Sequence, residues 1–137
     1  MGVKNLPLSS DARSCYTLPM VEHTDTARQT AIEFAQHIQS RHGEEIVILD
    51  LREISPIADY FIIATGTSDR QIKSIADELV TLGKHSQNPC HRCAGKDAGD
   101  WIAMDFFDVV VHLFNAELRG LYDLELIWGE APRVELE

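Results

Sequence analysis

The sequence predicts an α/β (α+β) protein, a single mixed β-sheet of four to five strands packed by about three helices. Three observations carry that expectation. Ile72, Ile75, Ala76, Leu79 and Val80 recur at helical spacing, the clearest amphipathic stripe in the chain. Asp59 to Thr65 is apolar on both faces, as a central strand is. Trp101–Phe106 and Val109–Phe114 are short strand-like runs separated by a turn.

The elements follow in order. Residues 1–23 hold two prolines and no periodicity, and they read as a flexible leader before a domain at 24–134 and a tail at 135–137. Thr26 and Gln29 have capping-box spacing, and Ala31, Phe34, Ala35 and Ile38 continue a helix that ends before Gly43. Ile46 to Leu51 is a strand of branched residues, and Ser55-Pro56 interrupts before the central strand. Gly66-Thr67 turns the chain, Ser68 and Gln71 form a second capping box, and the stripe helix follows. Gly83 to Gly99 is polar, with one short edge strand around Cys90 to Ala94. Asn115 is the N-cap of a last helix that carries Leu118, Leu121, Tyr122, Leu124 and Trp128 and stops at Gly129.

Composition narrows the function classes. The chain has 137 residues, enough for one domain, and its 45% hydrophobic and 25% charged residues are ordinary globular values. No apolar run reaches the ~20 residues of a membrane span, and three cysteines suit a reducing compartment, so the expected location is the cytoplasm. Twenty-two acidic residues against 12 basic ones give a net charge of −10. Such a chain binds little nucleic acid directly, because that affinity comes from Lys and Arg on phosphates. It does attract a basic protein.

The chemical motifs are sparse. Cys90-His91-Arg92-Cys93 offers one pair of thiols where structural zinc wants two Cys/His pairs, so no metal is expected. Gly66-Thr67-Ser68-Asp69 has two readings: an anion site at a helix N-terminus, or a glycine that turns the chain while Ser68 caps the helix. A nucleotidyltransferase would need two carboxylates one residue apart on the next strand. Asp77 and Glu78 are instead adjacent in a helix, about 100° apart around its axis. His112 lies inside a strand with no nucleophile signature beside it. No cofactor is implied, and the chain is expected not to be an enzyme.

A protein-binding surface suits the last third better. Trp101, Ala103 and Asp105 share one strand face, with Ile102, Met104 and Phe106 on the other. The second set is a core face. The first joins a large amphipathic ring to a carboxylate, with Asp108 in the following turn, and tryptophan is an interface anchor type. The bland alternative is a solvated sheet face with a half-buried tryptophan.

At these residues the chain resembles the ribosomal silencing factor family, also called RsfS or Iojap-like proteins. Asp59 to Ser68 matches the family's Tyr/Phe-rich strand before Gly-Thr/Ser-Ser, and Gln71-Ile72 follows. Trp101, Asp105 and Asp108 through Phe114 match Trp-x-x-x-Asp-Tyr-Gly-Asp-Val-Val-Val-His-x-Phe. Arg119, Tyr122, Leu124, Glu125, Trp128, Gly129, Ala131 and Pro132 match the closing motif. The likeness spans roughly residues 25 to 134. One departure stands out: Phe106-Phe107 replaces Tyr-Gly, so the turn loses a flexible residue and gains a large ring.

The resemblance implies a nucleotidyltransferase-like shape without the catalytic carboxylates. It implies a translational repressor that binds the large ribosomal subunit through ribosomal large-subunit protein fourteen and keeps the small subunit from joining under starvation. Trp101, Asp105, Phe106 and Asp108, supported by Tyr60 and Tyr122, are the expected partner-binding residues. A large-subunit assembly factor would use the same surface. A small nucleotide-binding or nucleotidyl-transferring enzyme is the rival of a different class. Whether the free protein is a homodimer stays open at the level of sequence.

Overall fold

Among the described residues, five strands form one mixed sheet in the order β1-β2-β5-β4-β3. The computed structural model describes residues 17–56, 58–123 and 128–135, with backbone alone for 17–25. Chain order is α1 (Thr17–Ser40), β1 (Glu44–Asp50), β2 (Tyr60–Gly66), α2 (Asp69–His85), β3 (Arg92–Ala94), β4 (Trp101–Asp105), β5 (Val109–Asn115) and α3 (Ala116–Tyr122). The expected α+β class and strand count both hold.

The sheet is organised by its centre. β2 runs parallel to β5, from Tyr60 opposite Val109 to Gly66 opposite Asn115, and every other pairing is antiparallel. Parallel neighbours need a long crossover rather than a hairpin, and α2 lies within it. The face of Tyr60, Ile62, Ala64, Ile102, Met104, Val109, Val111 and Leu113 packs against α1 and α2. Ile72, Ile75, Ala76 and Leu79 of the predicted stripe are buried there, with Val80 partly buried. α1 contributes Ala27, Ala31, Phe34, Ala35 and Ile38.

The opposite face is only partly covered. Leu49, Leu51, Ile63, Phe114 and Ala131 form its buried layer, with Phe61, Trp101, Leu118 and Trp128 against it. Arg119 of α3 donates to Thr65 Oγ1 at 2.8 Å and to the Glu45 carbonyl at 2.5 Å, tying that helix to the end of β2 and to the irregular start of β1. Residues 131–134 run along the outer edge of β1, where Asp50 N–H donates to the Pro132 carbonyl and Val134 N–H to the Ile48 carbonyl. A strand edge left bare would invite pairing with another chain.

Several boundaries differ from expectation. α1 begins at Thr17, so Thr26 is inside the helix rather than at its start, and the end of the expected leader is helical. Residues 1–16, the rest of that leader, lie outside the described residues. Ser68 does cap α2, its side chain accepting from Gln71 N–H, but the Gln71 side chain accepts from Thr67 N–H rather than from Ser68. Asn115 caps α3 as expected by accepting from Leu118 N–H. That helix stops at Tyr122, where Asp123 turns left-handed (φ 43°), instead of continuing to Trp128; Leu124 to Ile127 lie outside the described residues.

Phe34 tests this packing. It is fully buried, with its ring centroid 4.6 Å from that of Phe106. Phe34→Ala should lower unfolding stability by about 3–5 kcal/mol, through lost burial and a residual cavity. Urea titration monitored by circular dichroism measures it. A loss below about 1 kcal/mol would show that α1 is not part of the core.

Candidate protein-binding site

The open part of the second sheet face lies along β4 and β3. Trp101 sits at its upper end, half-buried, and donates its indole N–H to His112 Nδ1 at 3.2 Å. Its ring is stacked on Phe114 at 4.9 Å between centroids and tilted against Tyr122 of α3 at 4.7 Å. Phe61 and Trp128 extend the aromatic layer, 5.8 Å apart, with Phe61 5.0 Å from His112. Trp101 is thus held on its inner side by aromatic neighbours and keeps an outer side in solvent.

His112 is the unusual member. It is buried, and Nε2 has no hydrogen-bond partner among the described residues. Because Nδ1 accepts from Trp101, the proton of the neutral ring belongs on Nε2. Burial lowers its pKa from 6.5 to about 4. The imidazole is therefore neutral near pH 7 and serves as the acceptor that orients Trp101.

Asp105 is four residues along the same strand, roughly 13 Å from Trp101 at ~3.3 Å per residue, and it pairs in register with Arg92 of β3. Its Oδ1 accepts the Phe107 N–H at 2.8 Å, so the carboxylate also shapes the β4–β5 turn. Asp108 is partly buried in that turn, its carbonyl accepting from the N–H groups of Asp59 and Tyr60. Trp101, Asp105 and Tyr122 come to one side of the molecule, and Asp108 lies beyond them in the β4–β5 turn. Tyr122 is 48% exposed.

Two expected site residues are core residues instead. Tyr60 is 0% exposed, because strand alternation places it with Ile62 and Ala64 on the helix-covered face; burial also pushes its hydroxyl pKa up. Phe106 is 3% exposed and packs on Phe34 for the same reason of parity. Neither reaches a surface of the free chain.

Sequence reasoning missed Phe107, the most exposed aromatic ring among the described residues, at 66%. Its signal was the replacement of the Tyr-Gly pair. Also missed was the pairing of His112 with Trp101, which cross-strand register creates.

The turn and cysteine motifs resolve into local structure. A Cβ on Gly66 would stand 2.4 Å from Ile72 Cγ1, so glycine is required there for the close approach of α2. Asp77 pairs with Lys96, while Glu78 binds His37 at 2.7 Å and Arg41 at 2.5 Å. Cys90 and Cys93 are free thiols whose pKa values burial raises, the opposite of an activated thiolate. Among the described residues no group of three or more His, Cys, Asp or Glu is placed to hold a metal, and no helix is long and apolar enough to cross a membrane.

Comparison with known proteins adds what geometry cannot. Residues 24–137 match the family model described as ribosomal silencing factor during starvation. The chain belongs to that family. It is 39% identical over 100 residues to ribosomal silencing factor RsfS of Halalkalibacterium halodurans, covering 73% of this chain and 86% of that protein. The Bacillus subtilis protein of the same name is 38% identical over 97 residues, 71% of this chain and 82% of that one. A protein of Mus musculus named for mitochondrial assembly of the ribosomal large subunit is 33% identical over 94 residues, 66% of this chain and 41% of its own. A crystal structure from Chromobacterium violaceum has a TM-score of 0.70 at 30% identity, covering 77% of this chain and 86% of that chain. In this family member the motif residues Trp101, Asp105 and Tyr122 share one side, whereas motif residue Arg119 is a buried clamp.

His112 gives a pH prediction. Its folded pKa is about 4 and its ordinary value 6.5, so between those values the unfolded chain binds the extra proton. Stability is fully present above pH 6.5 and falls as pH drops toward 4, by on the order of 3 kcal/mol. Melting curves across this range should fall more steeply for the wild type than for His112→Gln. Parallel curves would contradict the assignment.

Proposed function

We propose that this chain represses translation without catalysis, by occupying the face of the large ribosomal subunit that the small subunit must meet. Its contact is ribosomal large-subunit protein fourteen, its setting the cytoplasm, and its occasion starvation. The carrying observation is the open β4 face, where a solvent-facing side of Trp101 and the Asp105 carboxylate share a surface on an acidic chain. Ribosomal proteins are basic, so acidic residues beside a large amphipathic ring supply both steering and an anchor. Membership of the silencing-factor family supports the ribosome as the target.

A second reading has an observation of its own, the likeness to the mouse large-subunit assembly protein. Assembly would use the same surface at an earlier time. Sedimentation with precursor particles in preference to mature large subunits would favour it.

Subunit-joining assays test the repressor. Trp101→Ala should weaken binding to large subunits by roughly 30-fold or more, as hot-spot truncations of about 2 kcal/mol do. Asp105→Asn keeps the acceptor for Phe107 N–H while removing the charge, and should weaken both blocking and the salt dependence of binding. Each variant is first shown by melting to be folded. Full blocking by both would place the contact elsewhere. Stronger binding to naked ribosomal RNA than to the ribosomal protein would overturn the partner.

A further inference from the structure

The β4–β5 turn sets a side chain against its own backbone. Phe107 has φ 78°, in the left-handed region where a Cβ crowds the following carbonyl and glycine is favoured. Nevertheless the residue is a phenylalanine with 66% of its surface in solvent. A ring that exposed gains little from burial in the free chain. Its aromatic contact is His91, 3.6 Å between centroids.

The turn does not need the ring. Phe107 N–H donates to Asp105 Oδ1 at 2.8 Å, Phe106 N–H to the Val109 carbonyl at 2.9 Å, and Asp108 N–H to the Phe106 carbonyl at 3.1 Å. All three bonds involve the backbone of residues 106–108, and glycine at 107 would keep them. Phe106 behind it is fixed in the core against Phe34. Phe107 is therefore a large apolar group on a rigid mount, at a position where the fold alone would favour none. Anchors held in place before binding lose little entropy when they bind.

The surroundings select the occupant. Asp105 stands two residues before the ring, opposite the exposed Arg92 of β3, and the chain as a whole carries a net charge of −10. That net charge fits a basic protein surface, whose Lys or Arg heads meet the Asp105 carboxylate while their aliphatic stems or guanidinium planes cover the ring. We propose that Phe107, backed by His91, is a second anchor for the basic large-subunit protein engaged by the Trp101–Asp105 face. This rests on the reading under Proposed function, and it extends the contact from the sheet face onto the turn.

The test measures melting temperature, co-sedimentation with purified large subunits, and self-association for the wild type, Phe107→Gly, Phe107→Tyr and Trp101→Ala. Phe107→Gly should melt at or above the wild type, because the backbone strain is relieved, yet bind large subunits about tenfold or more weakly. Phe107→Tyr should retain binding. Unchanged binding by Phe107→Gly, with Trp101→Ala impaired, would overturn this inference and leave the parent reading standing. Weakened binding accompanied by a lower melting temperature would assign the ring to the fold and overturn it as well. Loss of a dimer in Phe107→Gly, with subunit binding intact, would give the ring to a second copy of the chain. A wild type that does not sediment with large subunits would sink both proposals.

Discussion

The parallel pairing of β2 with β5 is the constraint on which the rest of the molecule depends. Two neighbouring strands with apolar residues on both faces cannot leave either face in water, so each requires a cover. The crossover that parallel pairing demands contains α2, and α1 packs beside it, closing one face with Ile72, Ile75, Leu79, Phe34 and Ile38. The other face is served by the much shorter α3 and by residues 128–134 beside β1. Among the described residues, that cover stops short of β4 and β3.

Trp101 stands where the cover ends, and its two sides have different roles. The inner side completes the aromatic layer with Phe114, Tyr122 and His112, and the indole N–H has a buried acceptor. The outer side faces solvent beside Ala103 and Asp105. Core and interface are therefore not exclusive roles for Trp101, since the packing that stabilises it also fixes the orientation in which the proposed partner would meet it. Asp105 has the same double character, accepting a turn N–H while carrying surface charge. His112 accepts from Trp101 only while neutral, which its burial ensures near pH 7.

Periodicity made most of the fold legible. The stripe of α2 and the alternation of β4 identified buried faces correctly, because burial imposes those spacings wherever one side of an element meets the core. Helix ends were less readable. Thr26 and Gln29 have the spacing of a cap without forming one, because nothing in a short motif records whether the helix has already begun upstream at Thr17. α3 ends early at Asp123, a residue whose short polar side chain tolerates a left-handed backbone. At the candidate site, family likeness misled where parity was decisive: Tyr60 and Phe106 fall on the inward-facing set of their strands. Phe107 went unassigned although the loss of a glycine was visible, since only the backbone angle shows that the turn still has a glycine-like conformation.

The central claim is that the proposed partner meets the β4 face, on the side away from α1 and α2, together with the β4–β5 turn. Hydrogen–deuterium exchange of the chain, free and bound to purified large subunits, tests it most directly. The account predicts slowed exchange on binding in residues 92–108 and in α3, with α1 and α2 unchanged on their solvent sides. Protection confined to α1 and α2, with the β4–β5 turn exchanging as in the free chain, would contradict it.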